Sequence, residues 1–162
     1  MTHMHHSRWT MPILRIGMGL FLAVWGVDKL LATEGSIGIF SHFYGVDVGA
    51  LAIQALGVAE ILLGLALAAG LFRVFTAWAQ LLVNGVSTVA SWRQILDPWG
   101  VFGLTEGGTH LFLASIAITA ASVVLVLNAR DGTFTLDRRL GRADGKRPSA
   151  EPAATAPHPG IG

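Results

Sequence analysis

The stretch Gly57–Val74, "GVAEILLGLALAAGLFRV", decides how the rest of the chain is read. It is apolar almost throughout, yet Glu60 lies inside it and Arg73 closes it. A bilayer core about 30 Å thick takes a helix of roughly 20 mostly apolar residues. Extended back to Ala50, this run has that length, which places Glu60 near the midplane, about 15 Å from either end. A carboxylate at that depth is costly and faces the interior of a helix bundle rather than lipid.

Three further segments share this character. The spans run over 12–31 ("PILRIGMGLFLAVWGVDKLL"), 50–71, 74–92 and 110–127. "LFRV" is too short for anything but a tight turn, so the second and third spans form an antiparallel hairpin. The other connections, "ATEGSIGIFSHFYGVDVG" and "RQILDPWGVFGLTEGGT", are Gly-rich and aromatic, as segments at a membrane interface often are. Of the 162 residues, 52% are hydrophobic and 13% charged, too apolar a balance for a soluble domain of this size. The sequence therefore predicts an all-α fold, an integral membrane antiparallel four-helix bundle over 12–128. It is preceded by a short segment, 1–11, and followed by a largely disordered tail, 129–162, rich in Pro, Ala and Gly. Arg8, Arg73, Arg130, Arg138, Arg139, Arg142, Lys146 and Arg147 fall on the side of the two termini. The positive-inside rule then makes both termini cytoplasmic in a multi-pass protein of the inner (plasma) membrane.

Polar residues recur at helical spacing. Thr76, Gln80, Asn84, Ser87 and Ser91 form one stripe. Arg15, Gly19, Gly26 and Lys29 share a face of the first span, and Gly57, Glu60 and Gly64 share one of the second. Small residues mark faces where helices approach closely, so these faces point inward. The expected intramembrane polar network joins Arg15, Glu60, Gln80 and Asn84. Within it Glu60 pairs with Arg15, is protonated and hydrogen-bonded, or carries protons; the bland alternative is a polar cluster that fixes helix register. A second group lies toward the other surface: Trp25, Asp28, Lys29, Gln54, Trp92, Arg93, Asp97, Trp99 and His110.

The absence of cysteine removes disulfides, thiol nucleophiles and iron–sulfur clusters, so any redox chemistry needs a bound cofactor or a partner. With His110 the one histidine in or beside a span, a haem is not expected. His3, His5 and His6 in "MTHMHH" could ligate a transition metal, but the group is short and terminal, and no metal is expected. A net charge of +1 and the lack of a basic-aromatic motif set nucleic acid aside.

"LRIGMGLFLAVWGVDKLL", "AEILLGLALAAGLFRV" and "GTFTLDRRLG" together resemble the first helix, second helix and ending of DoxX-like membrane proteins. The resemblance covers about Leu14 to Leu140, with Arg15, Gly26, Lys29, Glu60, Gly64 and Asp137 at matching positions. That family is similar to the DoxD-type subunit of thiosulfate:quinone oxidoreductase. The resemblance implies a small membrane subunit supporting electron transfer with the quinone pool, with a protein partner supplying the donor chemistry. No catalytic residue carries over from it. From the residues themselves, Glu60 and His110 are the proton-transfer candidates, and Lys29, His110, Trp25, Gln54 and Trp99 are the candidates for a quinone slot. The competing reading is a non-catalytic membrane anchor for a redox or oxidative-stress complex. A small-solute transporter ranks lower, because no inverted repeat is visible. The lipid bilayer is the one partner the composition itself requires, and a homo-oligomer is compatible with it.

Overall fold

The structure, a computed structural model, describes residues 7–130; the expected tail and the His-rich start fall largely or wholly outside them. The described residues are helical, with no strand. The long helices are α1 (Ser7–Leu31), α3 (Ala50–Ala69), α4 (Arg73–Ala90) and α6 (Ala114–Leu127). Between them lie α2 (Thr33–Ile39), a π-helical turn (Phe40–Tyr44), α5 (Trp92–Leu96) and a 3₁₀ turn (His110–Leu113) that leads into α6. Helix α1 packs mainly on α3 and α4 mainly on α6, with lighter contact between α3 and α4 and between α1 and α6.

Backbone contact makes α1 and α3 a unit. Gly19 meets Gly64, and Gly26 meets Gly57, so the helices run antiparallel. A Cβ on Gly19 would collide with the Gly64 carbonyl oxygen, and one on Gly26 would lie 2.5 Å from the Gly57 carbonyl oxygen. Glycine at all four places lets the main chains touch, which maximises dispersion contact where lipid supplies no hydrophobic drive for association. Met18, Leu67, Ala77 and Leu125 then join residues of α1, α3, α4 and α6 in one apolar core.

The α3–α4 turn has a specific cause. Gly70 ends α3 in the left-handed region at φ 70°, and the Leu71 N–H closes back on the Ala66 carbonyl at 2.9 Å. This is a Schellman ending, which glycine adopts without steric cost. Phe72 is also left-handed, at φ 47°, so the chain reverses within two residues and α4 starts at Arg73. The Thr76 hydroxyl donates back to carbonyls of Leu71, Phe72 and Arg73 at 3.2–3.3 Å and ties the turn down.

Helix α4 is inverted relative to a helix in water. Its buried residues are Thr76, Ala77, Gln80 and Asn84, while Phe75, Trp78, Leu82, Val86 and Val89 face outward. A water-facing helix buries its apolar stripe, whereas a lipid-facing one does the reverse. By length and apolarity, three helical stretches can cross a membrane: Trp9–Leu31, Ala50–Ala69 and His110–Leu127. Helix α4 is not one of them, because its polar stripe lowers its hydropathy.

Some boundaries differ from the sequence reading. The first helix starts at Ser7, ahead of Pro12, which sits in its second turn. The connection after α1 is not an open loop. Ala32 breaks the helix for one residue, the Thr33 hydroxyl bonds the Lys29 carbonyl at 2.9 Å, and the chain coils on through α2 and the π turn. Phe43 packs on Phe112 at 5.6 Å between ring centres, and the Tyr44 hydroxyl meets the Ser87 hydroxyl at 3.0 Å. These contacts pin the segment over the ends of α4 and α6.

The glycine contacts predict a contrast. Gly64→Val should destabilise the α1–α3 pair by about 1–3 kcal/mol or more through overpacking. Gly17→Ala, at a position with open space around it, should be neutral or gain up to about 1 kcal/mol of helix propensity. Detergent-denaturant unfolding followed by circular dichroism measures both, and equal effects would refute the glycine seam.

Candidate functional site

The antiparallel register of α1 and α3 determines which partner Glu60 takes. Side chains on a helix lean toward its N-terminus. On two antiparallel helices the leans are opposed, so an acid and a base converge only if each lies ahead of the other's lean. Lys29 lies about 9 Å along the axis on the side toward which Glu60 leans, and it leans back toward Glu60. The result is an ion pair, Lys29 Nζ to Glu60 Oε2 at 2.8 Å, with side chains 11% and 14% exposed. The Lys29 ammonium also lies 5.8 Å from the centre of the Trp25 ring, within cation–π range.

Arg15 is displaced in the other direction, about 12 Å from the level of Glu60, and leans away from it. It lines a small cavity at the opposite end with Met11, Leu67, Arg73, Leu125 and Asn128. The expected pairing of Arg15 with Glu60 is therefore not formed, and the reason is register rather than chemistry.

The rest of the expected network is divided as well. The Asn84 amide donates to the Ser122 hydroxyl at 3.2 Å, and the Thr88 and Thr119 hydroxyls meet at 2.8 Å. These are rungs of a polar ladder between α4 and α6. Ser122 in turn donates to the Ile118 carbonyl at 2.9 Å. Gln80 is fully buried, and neither its amide nitrogen nor its amide oxygen finds a partner among the described residues. It does not join Arg15, Glu60 and Asn84 in a single cluster. Ser122 and Thr119 were missed by the sequence reading; their spacing on α6 matches Asn84 and Thr88 on an antiparallel neighbour, which is the signal that finds them.

The five slot candidates are not gathered either. Lys29 and Trp25 adjoin one another, but Gln54, Trp99 and His110 are exposed, and no hydrogen bond or ring contact joins His110 to Lys29. An open groove of about 590 Å³ lies on the outer face of α4 against Tyr44, Trp78, Leu82, Gly85 and Val86. None of the five lines it. No group of three or more His, Asp or Glu side chains is arranged to hold a metal among the described residues.

Asp97 is a fully buried acid, 1% exposed, at the base of the loop between α5 and the 3₁₀ turn. Its Oδ2 accepts from the backbone N–H groups of Leu104 at 2.9 Å and Phe102 at 3.1 Å. Burial pushes its carboxyl up, but the backbone N–H groups of Leu104, Phe102, Val101 and Thr105 together outweigh this and hold it below the usual carboxylate range.

Described residues that are helical and without strand, apolar helices of spanning length, polar residues inward and an interhelical ion pair beside glycine contacts make this an integral membrane protein. The DoxX family model matches residues 10–93, more than half of the chain, and the chain belongs to the DoxX family. The match takes in α1 to α4, with both members of the Lys29–Glu60 pair. No curated protein and no solved structure gives a match.

Two outcomes are expected from this geometry. Lys29→Met should cost about 3–5 kcal/mol by leaving Glu60 without its counter-charge, and the double change with Glu60→Met should recover most of that loss. A double-mutant cycle measured by detergent-denaturant unfolding reads the coupling, and additive losses would remove the pair as a stabilising unit. Gln80→Leu should be neutral or stabilising, since it removes an unsatisfied amide. Asn84→Leu breaks a rung of the ladder and should cost about 0.6–2 kcal/mol in the same assay.

Proposed function

We propose that this DoxX-family protein is a four-crossing, multi-pass protein of the inner (plasma) membrane, with both termini cytoplasmic, that serves as a small subunit of a quinone-linked redox assembly. The outward apolar face of α4 supports a fourth crossing, and the concentration of Arg and Lys on the side of the termini supports the orientation.

The observation that carries the functional reading is the Lys29–Glu60 pair beside Trp25. A charge pair between spanning helices is a functional candidate by default. A quinone carries two electrons and two protons when fully reduced, so its site needs a hydrogen-bond donor for a carbonyl oxygen and a group that holds a proton. Lys29 donates one N–H to Glu60 and has others to offer, and Trp25 provides a flat apolar wall. Glu60 is the group that would hold the proton. In this arrangement His110, exposed at the start of the 3₁₀ turn, is peripheral. The chain has no cysteine, and a protein partner brings the donor chemistry.

The glycine seam favours a second reading. An ion pair flanked by Gly19–Gly64 and Gly26–Gly57 contacts is also what a rigid, non-catalytic membrane anchor would use to fix two helices. A charge reversal separates the two. The double change Lys29→Glu with Glu60→Lys keeps the ion pair and moves the ammonium to the other helix. The subunit reading predicts near-stoichiometric quinone in protein purified in mild detergent, and its loss in the reversed pair with folding intact. Quinone absent from the native protein would leave the anchor reading, and quinone retained on reversal would remove the Lys29–Glu60 pair from its site.

A further inference from the structure

We infer that the loop over residues 97–108 inserts its tip into the bilayer interface, with lipid as the partner of its exposed apolar side chains. The loop is built with its polarity reversed. Its acid, Asp97, is 1% exposed, while Trp99, Val101 and Phe102 are 69%, 75% and 76% exposed. A loop standing in water turns its charge out and its large apolar groups in. A segment solvated by the edge of a bilayer does the opposite and must satisfy its own backbone.

This loop does satisfy much of its own backbone. Asp97 Oδ2 takes the N–H groups of Phe102 and Leu104, and the Thr105 hydroxyl takes that of Gly107 at 3.2 Å. The Thr105 hydroxyl itself donates to the Asp97 carbonyl. The Thr109 N–H closes on the Pro98 carbonyl at 3.1 Å, and its hydroxyl on the Gln94 carbonyl at 3.3 Å. The neck pinches where Gly100 and Gly107 pass: a Cβ on either would lie 2.9 Å from backbone of the other side. Both have positive φ, 73° and 87°, so glycine is required there on two counts. The tip is therefore a defined shape, not a slack connection.

Its position fits the same partner. The loop leaves α5 and returns at His110, the first residue of a stretch able to cross the membrane. Leu96 and Leu111 on either side of it are 61% and 80% exposed, which continues the apolar surface from the loop onto the neighbouring helices. The Arg93 guanidinium over the Trp92 ring, at 5.4 Å, and exposed Glu106 mark where that surface meets water.

The cysteine-free chain allows a direct test. Val101→Cys, Phe102→Cys and Glu106→Cys are each labelled with a nitroxide and reconstituted into phosphatidylcholine–phosphatidylglycerol vesicles. Power saturation then compares collision with oxygen, which concentrates in lipid, and with a water-soluble nickel chelate. The expected result is an oxygen-to-nickel ratio severalfold higher at 101 and 102 than at 106. Equal nickel access at all three positions would put the tip in water and overturn the inference. Shielding of 101 and 102 from both reagents would overturn it in favour of a second copy of the chain. Should labelling disturb the fold, photoactivatable lipids with headgroup-proximal diazirines test the unaltered chain. Crosslinks mapped to residues 99–104 support insertion, and their absence beside labelled spanning helices refutes it.

Discussion

The close approach of α1 and α3 at two glycine pairs is the constraint on which the other contacts depend. With Gly19 on Gly64 and Gly26 on Gly57, the main chains approach so closely that a shift bringing a side chain to any of these points would collide with backbone. That register places Lys29 and Glu60 where their opposed leans bring them to 2.8 Å, and it puts Arg15 out of reach. A shift of one turn along the seam would be about 5.4 Å, enough to break the pair. The ion pair is thus a consequence of main-chain packing, and it in turn penalises any other register.

The second pair of helices is joined by different means. Between α4 and α6 the contacts are hydroxyl and amide groups, Asn84 to Ser122 and Thr88 to Thr119. Each interhelical hydrogen bond of this kind is modest, about 0.6–2 kcal/mol, so this side of the molecule is the more adaptable one. Gln80, buried without a partner among the described residues, lies on that same helix. The rigid seam carries the charged pair, and the softer ladder carries the uncharged polar groups. Inverted polarity links the two halves with the loop at 97–108: the outer face of α4 and the loop tip both turn large apolar groups toward what surrounds the protein.

Much of the helix layout was legible in the chain. Apolar runs of spanning length marked α1, α3 and α6, and "LFRV" marked the reversal between α3 and α4. Most of the inward face of α4 was legible as well, because Thr76, Gln80 and Asn84 recur at helical spacing and are buried, while Ser87 of the same expected stripe is exposed and meets Tyr44 instead. The short helices after α1 were not, since "ATEGSIGIFSHFYGVDVG" has the glycine content of a loop, and its coiling depends on Phe43 and Tyr44 reaching Phe112 and Ser87. Asp97 could be placed in its loop but not in its role, because its partners are backbone N–H groups, which leave no mark on residue identity.

The sequence by itself determined a helical membrane protein, the inward sides of its helices and the membership of Glu60 among its interior groups, because apolar length and helical period are local properties. Only the tertiary structure decided that Glu60 belongs to Lys29 and not to Arg15. Both bases lie on the same face of α1, and the spacing alone grouped Arg15 with Glu60 and set Lys29 toward the other surface. The choice between them rests on how far α1 is shifted along α3, which is set by where glycine backbones meet, and on the direction in which each side chain leans from its helix.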